Sequence, residues 1–469
     1  MALRDGGQPN IVVIVTDQQR ADQFGFASGG HFETPVLDAL ARRGAVFESA
    51  YSASTVCVPA RVSMLTGRQP HRVPTQENPF ALREGAWTVA RGLAKAGYET
   101  AAIGKMHFAP VHADHGFETL RLCEHLGAQG LGPMSRASGD VFDEFHHWLT
   151  ARGIEDWRLT TGGPVDGPFR YDAEAHPTSW IERETLSFVA DRDSSRPLFL
   201  VVSFPNPHAP YDPPEPYASM YDPRDSVLPL TGDEANEALP MVFSVAIARS
   251  ITRTQAASTS YVQRFIALVR GLVRQIDDAI GRILASFDLD KTLVIFTSDH
   301  GDYSGSRGLL RKNPWIPFDD LARVAFLVSA PGMIQGQRIT DVVQTSDIAL
   351  TCLDYAGMPQ PETKTFDSQT LRPHLEGHPP ASSSGRAVYS AVSMGWPMVR
   401  VGRHKLIAHH SKPGKALFDL VTDPHETTNL VLDPEYAAIR GHLVELVDDM
   451  ASSVVPVLGS MGPDGSLTS

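Results

Sequence analysis

Short continuous runs of β-branched and aliphatic residues recur along the chain, separated by stretches with helical periodicity. NIVVIVTD (Asn10–Asp17), PLFLVVSF (Pro197–Phe204), KTLVIFTSD (Lys291–Asp299) and VAFLVSAPG (Val324–Gly332) are the clearest. A strand apolar on both faces must be covered on both faces, and a mostly parallel sheet flanked by helices does this. The covering helices are expected at TPVLDALARRG (Thr34–Gly44), WTVARGLAKAG (Trp87–Gly97, with Gly97 as C-cap) and the long amphipathic stretch Tyr261–Phe287. YETAAIGK (Tyr98–Lys105) reads as one more strand. The fold class is therefore α/β, a large mostly parallel sheet sandwiched by helices.

From about Ser382 the pattern changes. RAVYSAVS, PMVRVGRHKLIAHH and ALFDLVTD are closely spaced strand candidates, and a helix over Pro434–Ser452 follows them. This predicts a smaller C-terminal α+β subdomain, an antiparallel sheet plus one helix. EGHPPASSSG (Glu376–Gly385) is the expected linker, giving domains at 1–376 and 386–469.

The chain of 469 residues carries a formal net charge of −13, which argues against a nucleic-acid partner. No apolar stretch reaches the length of a membrane span. The apolar run near the start, Ile11–Val15, is too short for a signal-peptide core, and the three cysteines (Cys57, Cys123, Cys352) imply no disulfide framework. These features predict a cytoplasmic protein.

Ligands of open parallel sheets bind beyond the carboxyl ends of the strands. Asp17 and Gln18 follow the first strand. Lys105 and His107 follow the second, in GKMHF. His208 follows the third, in PNPHAPYDPP, and Asp299 and His300 the fourth, in SDHGD. Singly, each has an ordinary explanation: a helix cap, a solvated lysine, a loop histidine. Together they place hard oxygen donors and imidazoles on one edge, a set suited to calcium, magnesium or manganese.

STVCVPARVSMLTGR (Ser54–Arg68) holds one of the three cysteines. CVPAR followed by SMLTGR resembles the signature of the type I sulfatases of the alkaline-phosphatase superfamily. NIVVIVTDQQRADQFG, TPVLDALARRGAVFESAYS, AGYETAAIGKMHF, DHGD and ALFDLVTDPHETTNL resemble further segments of that family, so the likeness extends over most of the chain. It implies an alkaline-phosphatase-like fold and conversion of Cys57, read as a loop residue, to Cα-formylglycine by a formylglycine-generating enzyme. The hydrated aldehyde would attack sulfur and later collapse to expel sulfate. The implied metal ligands are Asp17, Gln18, Cys57 (as formylglycine), Asp299 and His300, around one divalent ion, calcium first and manganese or magnesium as alternatives. The resemblance has Arg61 orient the diol and Lys105 stabilise its oxygens, with His107 as base for the collapse. His208 and Lys312 (in LLRKNPW) would hold the sulfate and protonate the leaving oxygen, and Asn78 would contact the substrate anion.

Gln18 replaces an acid, and His300 an asparagine, found in many sulfatases. The combination resembles the choline-sulfatase and phosphonate-monoester-hydrolase branch, and the Lys105–His107 pair resembles its choline-sulfatase side. The expected substrate is a small sulfate monoester. The alternatives are a phosphonate monoester or phosphodiester hydrolase using the same diol, and a non-catalytic protein that binds a sulfated ligand. A homo-oligomer is compatible with the sequence.

Overall fold

The computed structural model describes residues 7–73, 82, 85–108, 110–124, 143–154, 166–230, 233–254, 258–360, 367–380, 385–391 and 395–453. Its main sheet has eight strands: β1 (Asn10–Asp17), β2 (Ala45–Tyr51), β3 (Glu99–Gly104), β4 (Thr119–Leu122), β5 (Leu198–Pro207), β6 (Thr292–Ser298), β7 (Phe326–Ser329) and β8 (Gln337–Gln344). They lie in the order β4-β3-β5-β1-β6-β7-β2-β8. The block from β4 to β6 is parallel throughout, as is the β2–β8 pair. β7 runs against both its neighbours, β6 and β2, and makes the sheet mixed.

The central strand shows why the apolar runs are continuous. Ile11, Val13 and Val15 of β1 enter one core, together with Met64 and Leu65 of the helix Cys57–Thr66 and residues of the helices Val89–Lys95 and Asp347–Tyr355. Val12 and Ile14 enter the opposite core, under the helices Pro35–Arg43, Pro177–Asp191 and Thr259–Leu284. Alternate side chains of one strand thus serve two cores.

A second sheet follows: β9 (Ala387–Ser390), β10 (Met398–Val401), β11 (His404–Ala408) and β12 (Lys415–Asp419), all antiparallel, in the order β12-β11-β10-β9. The helix Ala437–Ser452, preceded by a 3₁₀ turn at Pro434–Tyr436, covers one face through Leu443 and Val447. The other face, with Met398, Ile407 and Phe418, packs on Phe243, Ile316 and Phe318 of the main body.

Ionic contacts cross this seam. Lys405, fully buried on β11, pairs with Asp319 at 2.7 Å and Glu426 at 2.7 Å. Asp319 also accepts from Tyr51, at 2.8 Å. Burial pushes the Glu426 carboxyl up to about 7, against the opposing pull of Lys405. Removing one partner of a buried ion pair leaves the other uncompensated. Lys405→Ala is therefore expected to cost about 3–5 kcal/mol in denaturant unfolding. A loss below about 1 kcal/mol would show that the two carboxylates do not depend on this lysine.

Candidate active site

β3, β5, β1 and β6 are neighbours running the same way, so their carboxyl ends form one rim. Asp17 closes β1, Lys105 directly follows β3, His208 follows β5, and Asp299 and His300 follow β6. The rim predicted from the apolar runs is thus one place in space. Non-glycine residues at positive φ cluster here, with Gln18 at 61°, His107 at 62° and Arg311 at 63°. Such backbone is held only where its surroundings over-determine it.

Cys57 reaches this rim from the segment after β2, which runs in the same direction as β1 and β6. It is not a loop residue, as the sequence suggested, but the first residue of the helix Cys57–Thr66, and it is 1% exposed. Val56 before it is extended, and Pro59 falls in the first turn, where a missing N–H costs nothing. A charge at position 57 would therefore face the positive end of a helix dipole.

The Cys57 Sγ lies 3.0 Å from Lys312 Nζ, 3.2 Å from His300 Nε2 and 3.9 Å from Asp17 Oδ1. Lys105 Nζ is 2.5 Å from Asp17 Oδ2. Arg61 stands behind the carboxylates: Nη2 donates to Asp17 at 3.0 Å, Nε to Asp299 at 2.9 Å, and Nη1 to Ser203 Oγ and the Lys105 carbonyl. Asp299 Oδ1 also accepts the backbone N–H groups of Gln18 and His300. The His300 ring donates from Nδ1 to the Gly301 carbonyl, which leaves Nε2 as a donor atom for a cation.

Ligand atoms of Asp17, Cys57, Asp299 and His300 all lie within 4.8 Å of one another. Two carboxylates and an imidazole fit a hard or borderline divalent cation, and Gln18 adjoins them through its backbone N–H on Asp299. The soft Sγ is the one misfit, and an oxygen-bearing side chain at 57 would complete a harder shell.

The charges bias one another strongly. Burial and Asp17 push the Cys57 thiol up, but Lys312, Lys105 and His300 outweigh them and hold it well below the ordinary thiol value. Burial raises the Asp17 carboxyl, yet Lys105, His208, Arg61 and His300 hold it well below the usual carboxylate range. Asp299 goes up instead, from burial and the nearby Asp17 charge. Burial pushes His208 down to about 3, with Lys312 and Lys105 adding to it. His208 is thus a neutral imidazole near pH 7, its Nδ1–H donated to the Ala209 carbonyl at 2.9 Å.

Two expected residues stand apart. Among the described residues no hydrogen bond joins the His107 imidazole to position 57, and its Nδ1 is buried without a hydrogen-bond partner. Asn78 lies outside the described residues. Three supporting residues escaped the sequence reading. Glu124 accepts the N–H groups of Met106 and His107, at 3.0 and 2.8 Å, and so fixes the turn after Lys105. It comes two residues after β4, a strand too short and polar to be recognised. Ser203 is a small polar residue inside an apolar run, and Asp302 is the second acid of DHGD, whose partners only the fold reveals.

The model described as "Sulfatase" matches residues 9–358, and that described as "N-sulphoglucosamine sulphohydrolase, C-terminal" matches 315–453. An arylsulfatase of Clostridium perfringens is 31% identical, over 92% of this chain and 91% of its own length. A choline-sulfatase of Rhizobium meliloti is 30% identical, over 91% and 83%. In fold, the chain is similar to a phosphonate monoester hydrolase from Silicibacter pomeroyi, with a TM-score of 0.80, 24% identity and coverage of 98% and 99%.

Proposed function

We propose that this chain, which belongs to the sulfatase family, hydrolyses a sulfate monoester of a small organic alcohol, with residue 57 as nucleophile. The observation that carries the reading is the placing of Cys57 at a helix N-terminus, within reach of Lys312, His300 and Asp17. The similarity to an arylsulfatase and a choline-sulfatase over more than nine-tenths of the chain supports it.

Asp17, Gln18, Asp299 and His300 would hold one divalent cation, calcium first. When bound, the cation would polarise a sulfate oxygen and favour ionisation of the nucleophile. Conversion of Cys57 to Cα-formylglycine by a formylglycine-generating enzyme, followed by addition of water to the aldehyde, would supply a geminal diol: one hydroxyl would attack sulfur and release the alcohol, and loss of the other hydroxyl's proton would expel sulfate and restore the aldehyde. Arg61 holds both Asp17 and Asp299 in place, and together with Lys105 it keeps Asp17 an anion. Lys312 offers positive charge to the nucleophile and to the sulfate oxygens. His107, with an unpaired buried nitrogen, is suited to accept a proton in the collapse. Asn78 keeps its proposed contact with the substrate anion, and the division at 376–386 separates the catalytic region from the C-terminal sheet. Among the described residues no helix is long and apolar enough to cross a membrane. The cytoplasmic placement remains part of this proposal.

His208 would protonate the leaving oxygen. It must first take up a proton, which the negative charge of bound sulfate favours. His208→Ala is expected to slow alkyl sulfates by about 10²–10⁴-fold and activated aryl sulfates far less. Equal losses on both would assign His208 to anion binding instead.

The function is tested on protein made together with a formylglycine-generating enzyme. The mass of the peptide bearing residue 57 should show an aldehyde. Matched aryl sulfate, phosphate, phosphodiester and phosphonate esters should then give the highest kcat/KM for the sulfate. Preference for the phosphodiester or phosphonate would replace this reading with the phosphonate-hydrolase one.

A further inference from the structure

Gln18 is the one amide in the proposed cation shell, and its surroundings explain that choice. Its Nε2 donates to Asp302 Oδ2 at 2.5 Å and to Tyr211 Oη at 3.3 Å. Tyr211 in turn donates to the same Asp302 oxygen at 3.2 Å. The other oxygen, Asp302 Oδ1, accepts the N–H of Ser304 at 2.5 Å and its hydroxyl at 2.9 Å. Gln18, Asp302 and Tyr211 are each no more than 3% exposed, so solvent cannot substitute for any of these partners. An amide has one donor end and one acceptor end. With Nε2 turned to a carboxylate, Oε1 is the end left for the cation. The reversed amide would set oxygen against oxygen inside a dry pocket.

We infer that Asp302 is a positioning residue that fixes the polarity of the Gln18 amide, so that oxygen rather than nitrogen is offered to the cation. It also supplies, one hydrogen bond further out, the negative charge that Gln18 lacks. This rests on the reading of the rim as a divalent-cation site.

The pair has a mirror solution. Gln18→Glu combined with Asp302→Asn keeps the same net charge and again joins a donor to an acceptor. The amide placed at position 302 would keep its oxygen on Ser304 and turn its NH₂ toward the carboxylate placed at position 18. Each substitution made alone fails. In Asp302→Asn the two facing amides force Gln18 to reverse, and it offers NH₂ to the cation. In Gln18→Glu two carboxylate oxygens meet in a dry pocket, where they repel each other or must bind a proton that the wild type does not carry.

The test titrates Ca²⁺ alone, and Mn²⁺ alone, into metal-stripped full-length protein by calorimetry. The proteins are wild type, Asp302→Asn, Gln18→Glu and the double variant. Asp302→Asn should weaken binding by about 10–100-fold in the wild-type background. In the Gln18→Glu background it should strengthen binding by a similar factor, a reversal of sign. Weakening in both backgrounds, or in neither, overturns the inference and leaves the cation site standing. No binding of either ion to wild type overturns the cation site and this inference with it. Should Asp302→Asn alone be too unstable to titrate, the other two variants still decide: the double variant must bind more tightly than Gln18→Glu.

Discussion

Cys57→Ala is expected to lower kcat for sulfate esters by on the order of 10⁶-fold while the protein stays folded. The size follows from losing the nucleophile, since the cation and its cationic neighbours have nothing left to activate. Retention of the fold follows from different grounds than a loop position would give. Residue 57 opens a helix, where alanine is well tolerated, and its Sγ touches charged groups rather than the apolar core. Kinetics on a formylglycine-bearing control and on the variant decide the matter. Turnover within about 100-fold of the control would exclude residue 57 as the nucleophile.

Asp17→Ala and Asp299→Ala are expected to lose the metal and to lose stability with it. Each removes a hard ligand from a shell that has few. Each also strips a partner from buried cations: Asp17 from Lys105 and Arg61, Asp299 from Arg61. Lys105 and Arg61 are 1% and 5% exposed, so the loss of Asp17 should cost about 3–5 kcal/mol. Metal content by elemental analysis and unfolding in denaturant read the two effects separately. Full occupancy in both variants would remove these residues from the cation site. Asp17→Asn keeps the shape, and it should lose metal with the smaller stability loss.

The strands that carry the rim were legible because each is a buried run with a polar residue at its end. Asp17, Lys105, His208 and Asp299 could be listed from that rule before any fold was known. Arg61 and Lys312 were legible differently, through the family resemblance around CVPAR and LLRKNPW, for neither lies at a strand end. β2 and β8 were not read as strands. The first five positions of β8 alternate half-buried and exposed at the sheet edge, and AVFESAY in β2 has charge and hydroxyl in its middle. Phe326–Ser329 was read as a strand, but nothing in so short a segment discloses that it runs antiparallel. Ser203 and Asp302 were illegible because their roles consist of contacts with residues far along the chain, which composition does not record, and Glu124 because the short strand before it was not recognised.

The burial of position 57 also sets a clock. Its neighbours His300 and Lys312 lie 243 and 255 residues further along the chain. At synthesis rates of about 5–20 residues per second, the interval before His300 emerges is roughly 10–50 s. During that interval the segment around Cys57 has neither β6 nor the lysine that later closes over it. The proposed modifying enzyme would have tens of seconds of access on the growing chain, and after folding it would meet a side chain almost without solvent contact. Faster translation, or a slower modifying enzyme, would then yield folded chains that keep the thiol for the rest of their lifetime.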